Sequence, residues 1–90
     1  MRKVSFETSR GLMRGVIKDD VPEEKIWPFY SCHGGKEFSC KLVWLDEQSE
    51  DLLWTMFDHT RVVLRPDGWV SVMLNDDYYG NPEYKATIES

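Results

Sequence analysis

Three short turn sequences constrain the fold more than any other feature, because each lies between two segments of strand character. They occupy residues 8–11 (Thr-Ser-Arg-Gly), 33–36 (His-Gly-Gly-Lys) and 65–68 (Arg-Pro-Asp-Gly). Glycine takes the positive φ that tight turns require, and proline presets φ at the second turn position. Such turns join antiparallel neighbours, so the sequence predicts a sheet built from hairpins.

Between the turns, apolar and polar residues alternate as they do in half-buried strands. The clearest case is residues 37–45, whose apolar side chains share a face that we expect to be buried: Phe38, Cys40, Leu42 and Trp44. The other strands are predicted at residues 3–7, 12–17, 26–32, 61–64 and 69–74, with a short last strand at 84–88. Gly15, within the second of these segments, indicates a bulge.

Residues 47–58 are predicted to form an amphipathic helix. Asp46 precedes them as an N-cap, and acidic residues in the first turn suit the positive end of the helix dipole. At 100° per residue the apolar side chains fall within an arc of about 140° around Ser49, which is a normal core-facing stripe. The stripe consists of Leu52, Leu53, Met56 and Phe57.

The order of elements therefore predicts an α+β fold in a single domain, residues 1–90. We expect a mainly antiparallel β-sheet built from hairpins, with five to seven strands and the helix at about 47–58 packed on one face. A partly rolled sheet or small barrel is the close alternative. The predicted core is Val4, Phe6, Leu12, Val16, Phe38, Cys40, Leu42, Trp44, Leu52, Leu53, Met56, Phe57, Val62, Leu64, Val70 and Val72.

Composition and charge bound the setting of the protein. The chain shows no apolar leader and no run of roughly 20 apolar residues, and two cysteines are too few for a disulfide scaffold. We expect a soluble, cytoplasmic protein.

The charge is distributed unevenly along the chain. The net charge is −5, but residues 1–18 sum to +4, whereas residues 46–58 sum to −5 with no lysine or arginine. This asymmetry favours contact with charged partners.

The helix provides the first candidate contact surface. The helical wheel places Trp54 outside the apolar stripe, within a ring of carboxylates: Glu47, Glu50, Asp51 and Asp58. Tryptophan is favoured at interface hot spots, and the surrounding charge would attract a basic partner. The alternative is that the indole folds over the helix rim and packs on a neighbouring strand. A second patch is predicted in the tyrosine-bearing loop at Asp76, Asp77 and Tyr79.

No constellation of residues predicts catalysis, a cofactor or a metal site. The soft ligands lack paired zinc-ligand spacing, and neither a nucleophile elbow nor a phosphate-binding glycine loop occurs. These ligands are Cys32, His33, Cys40 and His59. No motif of a known family is recognised.

The sequence favours a non-catalytic, acidic protein-binding module, in particular an inhibitor of a basic, nucleic-acid-handling protein. Carboxylates on a helix and loops imitate the field of a phosphate backbone, as in antitoxin-like, immunity-like and counter-defence proteins. We expect a protein partner, no membrane contact, and a monomer or homodimer.

The alternative is a small nucleic-acid-binding domain that uses the basic N-terminal hairpin, chiefly Arg10, Arg14 and Lys18, with exposed rings that stack on bases. The basic stripe of this hairpin consists of Arg2, Lys3, Arg10, Arg14 and Lys18. The acidic sequence pI of about 4.9 opposes direct binding of nucleic acid. An enzyme with an unrecognised site is the third reading.

Overall fold

The computed structural model describes residues 2–18, 24–30, 36–58, 61–74 and 81–89. These residues form seven strands and one helix, each within two residues of its predicted bounds. The elements are β1 (Arg2–Thr8), β2 (Gly11–Ile17), β3 (Glu24–Tyr30), β4 (Lys36–Leu45), α1 (Glu47–Phe57), β5 (Arg61–Leu64), β6 (Trp69–Met73) and β7 (Glu83–Glu89).

The sheet closes into a six-stranded antiparallel barrel. Its order is β2-β1-β7-β6-β5-β4, and β2 also pairs with β4, which completes the ring. The long strand β4 makes this possible, because its second half pairs with β5 and β2 while its first half pairs with β3. The predicted mainly antiparallel sheet with one helix is confirmed, and its closure realises the alternative of a small barrel.

Gly15 allows the barrel to close. It pairs with Leu45 across the seam between β2 and β4. A Cβ atom at Gly15 would lie 2.6 Å from the carbonyl oxygen of Trp44 and 3.1 Å from the Cα of Leu45. The pairing of β1 with β2 runs without interruption through Val4 and Gly15, so the predicted bulge is wrong. The glycine is needed instead because two backbones approach closely here.

The barrel interior holds the core. Its buried members are Val4, Phe6, Met13, Ile17, Val43, Leu53, Val62, Leu64, Val70 and Val72, and Leu45, Leu52, Met56, Phe57, Tyr84 and Ala86 pack against them. Most of the predicted core residues with described side chains are therefore confirmed.

Strand β2 and the second half of β4 present the face opposite to the predicted one. In β2, Met13 and Ile17 are fully buried, whereas Leu12 is 43% exposed. In β4, Cys40 is buried as predicted, but further along the strand Val43 is buried and Trp44 is 48% exposed. The prediction failed because both strands carry apolar residues on both faces, so alternation did not determine which face is inside. Closure at the β2–β4 seam determines it instead.

Helix α1 connects the end of β4 to the start of β5 and is fastened to β2 at its first turn. The side chain of Asp46 accepts a 2.8 Å hydrogen bond from the backbone N–H of Ser49, which confirms the predicted N-cap. The Asp46 N–H donates to the carbonyl oxygen of Arg14 at 2.9 Å. The N–H of Arg14 donates to the hydroxyl oxygen of Ser49 at 2.8 Å. These bonds fix the position and rotation of the helix.

The turn between β5 and β6 forms as predicted. Gly68 has a φ of 91°, and its N–H donates to the carbonyl oxygen of Arg65 at 3.1 Å. The guanidinium of Arg65, only 9% exposed, forms ion pairs with Asp67 in the turn and Glu83 at the start of β7. The turn is thus tied to the neighbouring strand.

Within the described ranges, no helix has the length and apolar character needed to span a bilayer.

Candidate functional site

The exposed face of α1 bears the residues that the sequence singled out. Ser49 and Leu53 are buried at 3% and 2% exposure, which turns the opposite side of the helix outward. Trp54 is 47% exposed. The surrounding carboxylates are all exposed: Glu47, Glu50, Asp51 and Asp58. The structure therefore brings five of the predicted site residues together on one surface.

The electrostatics of this surface are one-sided. Residues 46–58 carry five carboxylates and no lysine or arginine. The pKa of the Asp46 carboxyl lies below its ordinary 3.8, first because the backbone N–H of Ser49 donates to it and second because the Ser49 hydroxyl does so. The positive charge of Arg14 contributes less, and desolvation opposes the shift. Asp46 therefore adds its negative charge to the helix start over a wide pH range.

A groove runs between the helix and the barrel, and we call it the helix groove. Its volume is about 280 Å³. It is lined by Leu42, Val43, Trp44, Leu45, Glu50, Leu53, Trp54, Arg61 and Val62. Two half-exposed indoles, Trp44 and Trp54, thus share one depression. The sequence missed Trp44 because the alternation in β4 placed it in the core.

A larger groove lies on the other side of Trp44, on the outer surface of β7, β1, β2 and β4, and we call it the barrel groove. Its volume is about 680 Å³. Its lining residues are Lys3, Val4, Ser5, Leu12, Arg14, Gly15, Val16, Lys18, Trp44, Leu45, Asp46, Thr87 and Glu89. Three cationic side chains therefore face two carboxylates around an apolar floor.

A cation–π contact links the basic hairpin to the shared indole. The Nζ atom of Lys18 lies 4.4 Å from the centroid of the Trp44 ring. At an exposed position such a contact is worth about 0.5–1 kcal/mol. Of the cationic residues in the predicted basic stripe, Lys3, Arg14 and Lys18 line the barrel groove. Arg10 is exposed in the β1–β2 turn and is not part of the lining.

The second predicted patch, at Asp76, Asp77 and Tyr79, lies outside the described residues. The same holds for Cys32, His33 and His59. Cys40 is buried and lies outside any disulfide, and its strand partner is Glu24. Across the described ranges, no three histidine, cysteine or acidic residues are grouped so that they could hold a metal ion.

Comparison with known proteins adds no assignment: the chain matches no protein-family model, no curated protein and no solved structure.

Proposed function

We propose that this protein is a non-catalytic protein-binding module that contacts its partner through the exposed face of α1 and the helix groove. The observation that carries the proposal is the pair of indoles in that groove: Trp54 is 47% exposed and Trp44 is 48% exposed. Exposing two large rings side by side forgoes the favourable burial of their apolar surface. A partner that covers them regains it, which is why tryptophan dominates interface hot spots.

The carboxylates that surround Trp54 on the helix select the chemistry of the partner, while Arg61 and Lys18 lie on the Trp44 side. Glu47, Glu50 and Asp51 are exposed on the helix, and Asp58 follows at its end. A basic surface complements this row, which accelerates encounter and excludes acidic competitors. The proposed partner is therefore a protein with a basic patch around an apolar pocket that accepts Trp54.

A nucleic-acid-handling protein offers such a surface, because its binding groove is positively charged. In the finer form of the proposal, the module inhibits that protein by presenting carboxylates where phosphates would bind. It acts in the cytoplasm, as a monomer or a homodimer. With a net charge of −5, electrostatic mimicry alone gives limited affinity, so the two indoles supply much of the binding free energy.

Two variants and one matched control test the proposal. Affinity capture from the native cell with the tagged wild type, followed by mass spectrometry, identifies partners whose recovery falls at high salt. Binding of the purified partner is then measured by titration calorimetry. We expect Trp54→Ala to weaken binding by about 2 kcal/mol or more. Glu50→Lys should also weaken binding, and its loss of affinity should be larger at low salt than at high salt.

Trp69→Ala is the matched control. Trp69 is 41% exposed on β6 and lines neither groove. Its removal deletes an equally exposed indole from another part of the surface, so binding should be unchanged. A Trp54→Ala variant that binds with wild-type affinity, or an equal loss in Trp69→Ala, would remove the helix surface from the interface.

A further inference from the structure

We propose that the barrel groove binds single-stranded nucleic acid, with Trp44 stacking on a base and Arg14, Lys18 and Lys3 contacting phosphates. This goes beyond the protein-binding function proposed above, because it concerns another groove and another class of partner.

Strand register places cations beside the ring. Arg14 and Val16 alternate along β2, Lys18 directly follows its last residue, and Trp44 is the strand partner of Val16. The Lys18 ammonium lies over the Trp44 ring, at 4.4 Å from its centroid. The backbone of Arg14 lies two residues from that of Val16, about 7 Å along the strand. A nucleotide also has a negative phosphate close to a flat base, so cations next to an indole fit this type of ligand.

The third cation lies across the groove. Lys3 on β1 is the strand partner of Val16, so Lys3, Val16 and Trp44 form one row over three adjacent strands. Neighbouring strands are about 4.8 Å apart, which gives the row a width of about 10 Å. A single-stranded nucleic acid that runs along β2 can cross this row, with its phosphates towards Lys3 and its bases towards Trp44.

Two carboxylates of the lining offset part of the positive charge. Asp46 accepts a hydrogen bond from the N–H of Ser49 and also attracts Arg14. Glu89 is the strand partner of Lys3 and offsets that charge. The lining therefore keeps a positive excess, with Lys18 placed over the Trp44 ring. The hydroxyls of Ser5 and Thr87, which are strand partners on the same face, can donate to phosphate oxygens.

The ring distinguishes nucleic acid from an acidic peptide. A peptide carboxylate would use the cations but leave the flat indole without a matching surface. A nucleotide offers both chemistries at once: its phosphate pairs with the Lys18 ammonium and draws it off the Trp44 ring, and its base stacks on the face that the ammonium leaves. Stacking of this type tolerates any base, so the site should show little sequence preference.

Fluorescence anisotropy of a labelled oligothymidylate of about 12 nucleotides tests the proposal at low salt. We expect saturable binding that weakens with salt, and weaker binding of a duplex, whose bases are not free to stack. Trp44→Ala should lower affinity by about 5- to 100-fold, and Trp44→Phe should lower it less because a ring is retained. Lys18→Gln should lower affinity. The slope of the logarithm of the binding constant against the logarithm of salt concentration should become less steep by about 0.7.

The matched controls are Lys85→Gln and Trp54→Ala. Lys85 is exposed on β7 and lines neither groove, so Lys85→Gln changes the net charge equally while leaving the site intact. Trp54→Ala leaves nucleic-acid binding unchanged if the two sites are separate, so failure of one proposal is distinguishable from failure of the other.

Three results would overturn the assignment. The first is no anisotropy change at low salt. The second is an equal loss of affinity in Lys85→Gln and Lys18→Gln, which would show attraction by overall charge only. The third is binding of polyglutamate as tight as that of the oligonucleotide and insensitive to Trp44→Ala, which would assign the groove to acidic chains.

Discussion

The backbone N–H of Arg14 donates a 2.8 Å hydrogen bond to the hydroxyl oxygen of Ser49, 35 residues further along the chain. This bond crosses from the barrel to the helix in a part-buried position, and Ser49 itself is 3% exposed. It fixes the rotation of α1, with Leu53 inside the core and Trp54 at the surface. The orientation of the proposed contact face therefore depends on this serine together with the Asp46 N–H bond to the Arg14 carbonyl oxygen.

Replacing that serine should destabilise the protein. In Ser49→Ala the N–H of Arg14 loses its acceptor in a part-buried position, and such an orphaned donor costs about 1–3 kcal/mol. Urea unfolding followed by tryptophan fluorescence measures the change. Gln48→Ala, at the exposed neighbouring position, should be close to neutral. Equal stability of the wild type and Ser49→Ala would mean that the bond does not hold the helix.

The lowered pKa of Asp46 predicts a loss of stability in acid. Its carboxylate is stabilised in the folded state by the Ser49 N–H, so this contribution is fully present above the ordinary pKa of 3.8 and is lost as pH falls through the lower folded value. Asn also caps helices but does not titrate in this range. The stability advantage of the wild type over Asp46→Asn should therefore shrink as pH falls below about 4.

Unfolding midpoints measured in urea at neutral and acidic pH make this comparison. Asp51→Asn, which removes a carboxylate from the exposed side of the same helix, controls for the change in net charge. A constant difference between the wild type and Asp46→Asn over the acid range would contradict the prediction.

The barrel seam should reject a side chain at Gly15. In Gly15→Ala the new methyl group meets the backbone of Trp44 and Leu45, which cannot move aside as a flexible side chain would. We expect a loss of about 1–3 kcal/mol, as for other overpacked sites. Leu12→Ala in the same strand, where the side chain is 43% exposed, should cost less. Thermal unfolding of both variants tests the order, and a more stable Gly15→Ala would show that the seam can widen.

The ion pairs of Arg65 should contribute to stability through the β5–β6 turn. Glu83→Gln removes one of the two carboxylates that contact a guanidinium only 9% exposed. Loss of a charge-assisted hydrogen bond at such a site costs about 1.5–3 kcal/mol. Glu89→Gln, in the exposed last part of the same strand, is the control. If salt removes the difference between the two variants, the pair behaves as a solvent-screened surface contact.

Much of the fold could be predicted from the sequence because short segments of the chain specify its turns and its helix start. The turn at residues 65–68 is specified by proline and glycine, and the start of α1 by Asp46. Hairpins follow from such turns, and so does a mainly antiparallel sheet. The exposure of Trp54 followed from helical periodicity alone, since the apolar stripe occupied the other side of the helix.

Features that depend on distant pairing were not accessible in this way. Nothing local shows that β2 meets β4, and that seam decides which faces of both strands are buried. Trp44 was therefore placed in the core, and the groove that it lines was missed. A glycine within a strand, such as Gly15, is typical both of a bulge and of a close approach between two backbones, so the sequence did not distinguish the two. Ser49, in the middle of an apolar stripe, was the one local irregularity that pointed to a buried polar contact.

Trp44 forms part of the wall of both grooves, so the two surfaces share one side chain. A ligand that reorients or covers this indole from one side changes the shape offered on the other. Thermodynamic reciprocity then requires each occupant to alter the affinity for the second by the same factor. If both proposals hold, the occupancy of one groove is therefore coupled to that of the other through this one ring.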